Sequence, residues 1–75
     1  RMLFNNLKRL RKDIADSEDV PPYIIFSDAT LLEMVQTTPA SKKELINVTG
    51  VGKIKLEKYG NLFLEEIKDF IVKNI

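Results

Sequence analysis

Ser41-Lys42-Lys43-Glu44-Leu45-Ile46-Asn47-Val48-Thr49-Gly50-Val51-Gly52-Lys53 is the stretch on which the fold turns. Ser41 and Glu44 have the spacing of a capping box, in which serine and glutamate satisfy each other's unpaired backbone donors at a helix start. The helix they open is short and runs to about Ile46. Gly50 and Gly52, one residue apart, then permit a tight turn. A further short helix follows to Tyr59, with Gly60 expected as its cap. Two helices joined this way form a hairpin.

Toward the N-terminus, Pro39 ends an earlier helix whose apolar stripe is Leu31, Met34 and Val35. Ser27 suits its N-cap, and Asp28 suits the positive end of its dipole. Before it, Val20-Pro21-Pro22-Tyr23-Ile24-Ile25-Phe26 is expected to be an extended apolar crossing, since two prolines remove donors and disfavour helix in the residues ahead of them. Leu3, Leu7, Leu10 and Ile14 recur at spacings of four, three and four, which places them on one stripe of a first helix ending near Ser17. Toward the C-terminus, Phe63, Ile67, Phe70 and Ile71 form the apolar face of a last helix, while Glu65, Glu66, Asp69 and Lys73 face water. Ile54 falls off the face shared by Leu56 and Tyr59, so it is either exposed or in contact with a neighbour. Nothing alternates with the period of two that strands need. The expected fold is all-α: a compact orthogonal bundle of about five short helices with a helix-hairpin-helix-like element, residues 1–75 making one domain.

A chain of 75 residues buries a thin core. It contains no cysteine, hence no disulfide or thiolate metal site, and no histidine, the usual general base at neutral pH. Both absences point away from a self-contained active site. The longest uninterrupted apolar run is Tyr23 to Phe26, far short of the ~18 residues of a membrane span. Nor does Met2-Leu3-Phe4, followed by Asn5, Asn6 and Lys8, read as a signal peptide. Beginning inside a helix, the sequence reads as an excised fragment of a larger protein; the chain is expected to be soluble, and its lack of cysteine is compatible with a reducing cytoplasm.

Net charge is only +1, yet the charges are segregated. Residues 1–12 hold Arg1, Lys8, Arg9, Arg11 and Lys12 with no acid, and residues 13–19 hold Asp13, Asp16, Glu18 and Asp19 with no base. Residues 41–60 set Lys42, Lys43, Lys53, Lys55 and Lys58 against Glu44 and Glu57. The acidic run lacks the alternating ligands and the glycine of a calcium loop, and no metal site is expected. Around Gly50 and Gly52, backbone N–H groups, a helix N-terminus and Lys53 and Lys55 together offer a grip on a phosphate backbone; alternatively the glycines only make the turn. A nucleotide P-loop is the poorer reading, because its required glycine and hydroxyl positions are Asn47 and Ile54. Lys8, Arg9, Arg11 and Lys12 concentrate positive potential on the first helix, either for phosphate or as a solvated face. Tyr23, on a stiff Pro-Pro turn, either stacks on an unpaired base or is half-buried with Ile24, Ile25 and Phe26.

Leu3-Phe4 with Leu7-Lys8-Arg9-Leu10-Arg11-Lys12, Val20-Pro21-Pro22-Tyr23 through Ala29-Thr30-Leu31, and Gly50-Val51-Gly52 through Lys55-Leu56-Glu57-Lys58-Tyr59-Gly60 and Phe63 together resemble the HRDC (helicase and RNase D C-terminal) domain, in the version of bacterial RecQ-type DNA helicases. The resemblance spans nearly the whole chain. It implies a five-helix accessory domain of an ATP-dependent 3′-to-5′ DNA helicase acting in repair and recombination, with ATP and magnesium serving the parent motor and no cofactor in this part. The implied partner is single-stranded or branched, partly duplex DNA, bound weakly by a monomer. The family's aromatic position falls on Tyr23, its first-helix basic positions on Lys8, Arg9, Arg11 and Lys12, and its hairpin positions on Gly50, Gly52, Lys53 and Lys55. Two alternatives stay open: a protein-interaction module that docks on the helicase core or a repair partner, and an RNA-steering domain of an RNase D-type exonuclease.

Overall fold

The computed structural model describes residues 2–74 and is all-helical over that range. In chain order the elements are α1 (Met2–Glu18), α2 (Pro22–Ile25), α3 (Asp28–Thr37), α4 (Lys42–Leu45) and α5 (Lys53–Lys73). Arg1, counted in the first basic block, lies outside the described residues.

α1 buries Leu3, Leu7, Ile14 and Ala15, with Leu10 packed at the edge of the core. It ends in a left-handed residue, Asp19 at φ 57°, and the Val20 N–H returns to the Ala15 carbonyl at 3.0 Å. This Schellman-type closure satisfies a carbonyl that the helix end would leave open. α3 starts as expected, with Ser27 Oγ accepting from the Thr30 N–H at 3.2 Å. It stops at Thr38, left-handed at φ 40°, whose N–H donates to the Met34 carbonyl. At α4, the Glu44 N–H donates to Ser41 Oγ at 3.3 Å, but the Glu44 carboxylate accepts from Ala40, one residue beyond the Ser41 N–H of a regular capping box.

Three expectations are corrected. The Val20–Phe26 segment is not extended throughout: Pro21 is extended, but Pro22 opens a single helical turn. A proline at the first position of a helix loses nothing, because the N–H there has no intrahelical partner. Gly60 does not cap a helix. It lies buried inside α5, which runs unbroken for 21 residues, with Leu45 and Leu56 closest to the place a β-carbon would occupy. A β-carbon there would come within 3.1 Å of the Leu56 side chain of the same helix but make an ordinary 3.7 Å contact with Leu45, so the roughly 1 kcal/mol that glycine costs in a helix interior is not demanded by α4. Finally, Ile71 is 41% exposed and is not part of the core.

The core is centred on Phe26. Its ring meets Phe63 edge-on at a centroid distance of 5.0 Å and Tyr59 at 6.1 Å. Leu7, Ile25, Leu31, Met34 and Leu45 are fully buried around it, and Val48 and Val51 pin the hairpin turn to it.

Candidate nucleic-acid interface

Between α4 and α5 the chain turns through Gly50, at φ +92°. The turn is closed by the Val51 N–H on the Val48 carbonyl, and held to α3 by Thr30 Oγ1 donating to the Thr49 carbonyl at 2.9 Å. Glu33 accepts from the Thr49 N–H at 3.2 Å, so that amide is already engaged. The first backbone bond of α5 runs from the Leu56 N–H to the Gly52 carbonyl, and no side chain caps the helix. The N–H groups of Lys53, Ile54 and Lys55 precede that bond and mark the positive end of the longest helix in the fold. Gly52 has open space where a β-carbon would stand, so its role is not one of tight packing.

The aromatic element is Tyr23. On the single turn of α2, Ile25 and Phe26 point inward while Tyr23 is 68% exposed, which overturns the half-buried alternative. Lys55, at the start of α5, holds its Nζ 5.8 Å from the Phe26 ring centroid. Phe26 is also the residue that α1 reaches with Arg11. One residue of each basic segment thus lies against this buried phenylalanine, Arg11 at its carbonyl and Lys55 over its ring.

The basic residues differ in what occupies them. Arg9 and Lys53 are exposed and make no ion pair among the described residues. Lys8 is exposed, its Nζ 5.1 Å from the Phe4 ring centroid, an arrangement that leaves its charge uncompensated. Lys12 is committed to Asp16 one turn on, at 2.8 Å, and that hydrogen bond holds its ammonium above the ordinary lysine value. Arg11 is corrected: it is 8% exposed, bonded to the Phe26 carbonyl and ion-paired with the exposed carboxylate of Asp28, so its charge is already compensated within the fold.

A polar cluster joins the end of α1 to α5. Tyr59 donates its hydroxyl to Glu18 at 2.8 Å, and Lys58 lies 3.9 Å from the same carboxylate. The Tyr59 hydroxyl, with the charge of Glu18, raises the Lys58 ammonium above its usual range. Lys58 is thereby tied to the acidic end of α1. Neither this cluster nor the Glu33 contact to the hairpin has a local sequence signal, because both join residues far apart in the chain. Ile54 is 76% exposed beside Lys53.

An all-helical domain with a glycine turn between two helices, an exposed aromatic ring after two prolines and exposed cations on α1 and α5 belongs to the class of small helical accessory domains. Residues 1–67 match the HRDC domain, and the chain belongs to that family. It is 52% identical over 67 residues to the ATP-dependent DNA helicase RecQ of Haemophilus influenzae, covering 89% of this chain and 11% of that protein. Against the RecQ helicase of Bacillus subtilis it is 47% identical over 68 residues, 91% of this chain and 12% of that one. An ATP-dependent DNA helicase UvrD2 of Mycobacterium tuberculosis is 35% identical over 66 residues, 88% of this chain and 9% of that one. The chain thus spans about a tenth of the length of the helicases it matches. The solved structure of D. radiodurans RecQ HRDC domain 3 superposes with a TM-score of 0.89 at 28% identity, over 92% of this chain and 91% of that one.

Proposed function

We propose that this chain is the nucleic-acid-binding accessory domain of a RecQ-type DNA helicase. In this reading it binds single-stranded or branched, partly duplex DNA weakly and without base sequence preference, and so tunes substrate choice in repair and recombination. One observation carries it: Tyr23 stands exposed on a turn whose next two core residues, Ile25 and Phe26, are fully buried, so a large ring is held out in solvent. Stacking on such a ring is worth about 1–3 kcal/mol per base and does not discriminate between bases. Lys53 and Lys55 with the open amides of α5, and Lys8 and Arg9 from α1, supply the phosphate contacts, with Lys12 a weaker contributor behind its pairing with Asp16. Gly52 leaves room for the backbone to come close. The relatives are DNA helicases, which favours DNA over RNA as the ligand.

The domain carries out no catalysis; ATP and magnesium belong to the motor of the parent helicase, which works in the bacterial cytoplasm at the nucleoid. Because the parent joins several sites on one chain, the isolated domain binds far more weakly than the whole. An amide-resolved NMR titration with a short single-stranded oligonucleotide, at two salt concentrations, tests the reading. Shifts clustered at Tyr23, Lys8, Arg9 and residues 50–55, weakening with salt, are expected. No shift at low salt and high oligonucleotide excess rejects it.

Exposed Ile54 favours a second reading, docking on the helicase core or a repair protein through an apolar contact. That mode predicts association little affected by salt and resistant to nuclease.

A further inference from the structure

Arg11 is a cation hidden in a thin core, and a guanidinium leaves water only where specific partners replace its hydration. Its Nη1 donates to the Phe26 carbonyl at 2.9 Å and lies 2.8 Å from Asp28 Oδ1. Nε is buried with no acceptor, so the side chain is placed by what its outer end holds. Phe26 lies in the connection between α2 and α3, directly after the turn that carries Tyr23, and Asp28 is the first residue of α3.

That turn has little stability of its own. It is four residues long and has no side-chain cap, and its start is marked by the Ile24 N–H on the Pro21 carbonyl. A single turn is far below the length at which a helix holds itself together. Ile25 and Phe26 anchor it in the core and two prolines stiffen its entry. At its exit, the Phe26 carbonyl is fastened by Arg11.

We propose that Arg11 is a positioning residue for Tyr23: from α1 it locks the exit of α2 and thereby holds the ring in its stacking attitude, and it does not itself contact phosphate. This inference rests on the stacking reading given above. With Nη1 already engaged by a carbonyl and a carboxylate, its effect on DNA passes through the backbone of residues 23–26.

The test is a double-mutant cycle in the 75-residue chain. Affinity for a fluorescein-labelled oligothymidylate is measured at several salt concentrations, and hydrogen exchange of the Tyr23–Phe26 amides is followed in the free protein. Arg11→Met removes both bonds, and Arg11→Lys, which keeps the charge but is one atom shorter, covers the case in which the methionine variant does not fold. Both substitutions are expected to weaken binding several-fold where Tyr23 is present and to change nothing further in a Tyr23→Ala background, with the salt slope unaltered. Exchange at residues 23–26 is expected to quicken while α5 core amides stay protected. Equal losses in both backgrounds, unchanged affinity and exchange, or a salt slope reduced by about 0.7, the value for one lost phosphate contact to a single strand, each overturn the proposal. If Tyr23→Ala alone binds like the parent sequence, the stacking reading fails, and the exchange data still decide whether Arg11 holds the turn.

Discussion

The Thr30 hydroxyl donates to the Thr49 carbonyl at 2.9 Å and fills the place that a β-carbon on Gly50 would need. α3 and the hairpin are thus in contact at a point where only glycine fits, and Gly50 is also at φ +92°, where side chains are strained. Gly50→Ala is expected to destabilise the domain by roughly 2 kcal/mol or more, from backbone strain and the clash with a buried threonine together. In a domain of this size each kcal/mol moves Tm by about 4–8 °C, so thermal denaturation followed by circular dichroism reads the effect directly. A Tm within a degree or two of the parent would mean that the turn relaxes easily, and that Thr30 does not fix it.

Gly52 should behave in the opposite way. Its φ of −89° suits any residue and nothing lies near its absent side chain. Gly52→Ala trades a gain of about 0.4–1 kcal/mol from a stiffer unfolded chain against a poorer N-cap of similar size, so Tm should hardly move. Affinity for single-stranded DNA is expected to fall nonetheless, because a methyl group then stands where phosphate approaches the open amides of α5. Unchanged affinity would leave Gly52 as a turn residue alone.

Much of this arrangement is legible in the sequence where the signal is local. Leu3, Leu7 and Ile14 mark the α1 stripe, and Ser27 and Ser41 mark helix starts, because periodicity and capping are decided within a few residues. Arg11 shows how a local signal is outweighed. It stands four residues after Leu7 and eight after Leu3, inside the buried stripe, yet its charge and its basic neighbours favour reading it as a ligand contact. Gly60 failed for a different reason. Its propensity argues for a break, but one interior glycine costs only about 1 kcal/mol, and Leu56, Tyr59 and Phe63, buried on either side of it, carry α5 through. Whether Tyr23 faces water or core depended on α2 closing into a turn, which turns Ile25 and Phe26 inward; alternation along an extended strand would have distributed these residues differently.

Tyr59 and Glu18 tie the two longest helices together through one hydrogen bond at 2.8 Å. Tyr59→Phe keeps the ring against Phe26 and removes only this bond, so a loss of about 1 kcal/mol is expected in urea denaturation. The same change should lower the Lys58 titration midpoint toward the ordinary lysine value, followed by NMR at its side-chain Cε. Lys58 has a folded value raised above its unfolded one, so its contribution is fully present below about pH 10.5 and is lost as pH rises through the folded value. A midpoint that does not move would assign the shift to Glu18 alone.

The cations can be ranked by what already occupies them. Lys12 is bonded to Asp16, whereas Lys53 has no ion pair among the described residues and stands at the open end of α5. A lysine that contacts phosphate releases counterions on binding, and its removal lowers the steepness of log K against log salt by about 0.7 for a single strand. Lys53→Gln is therefore expected to reduce that slope by about this amount, and Lys12→Gln by clearly less, because Lys12 must leave a carboxylate to reach DNA. Fluorescence anisotropy at four or five salt concentrations measures both slopes on one oligonucleotide. Equal slopes for the two variants would show that the Lys12 pairing breaks freely on binding, and a slope insensitive to either would move the DNA surface away from the hairpin and toward Lys8 and Arg9.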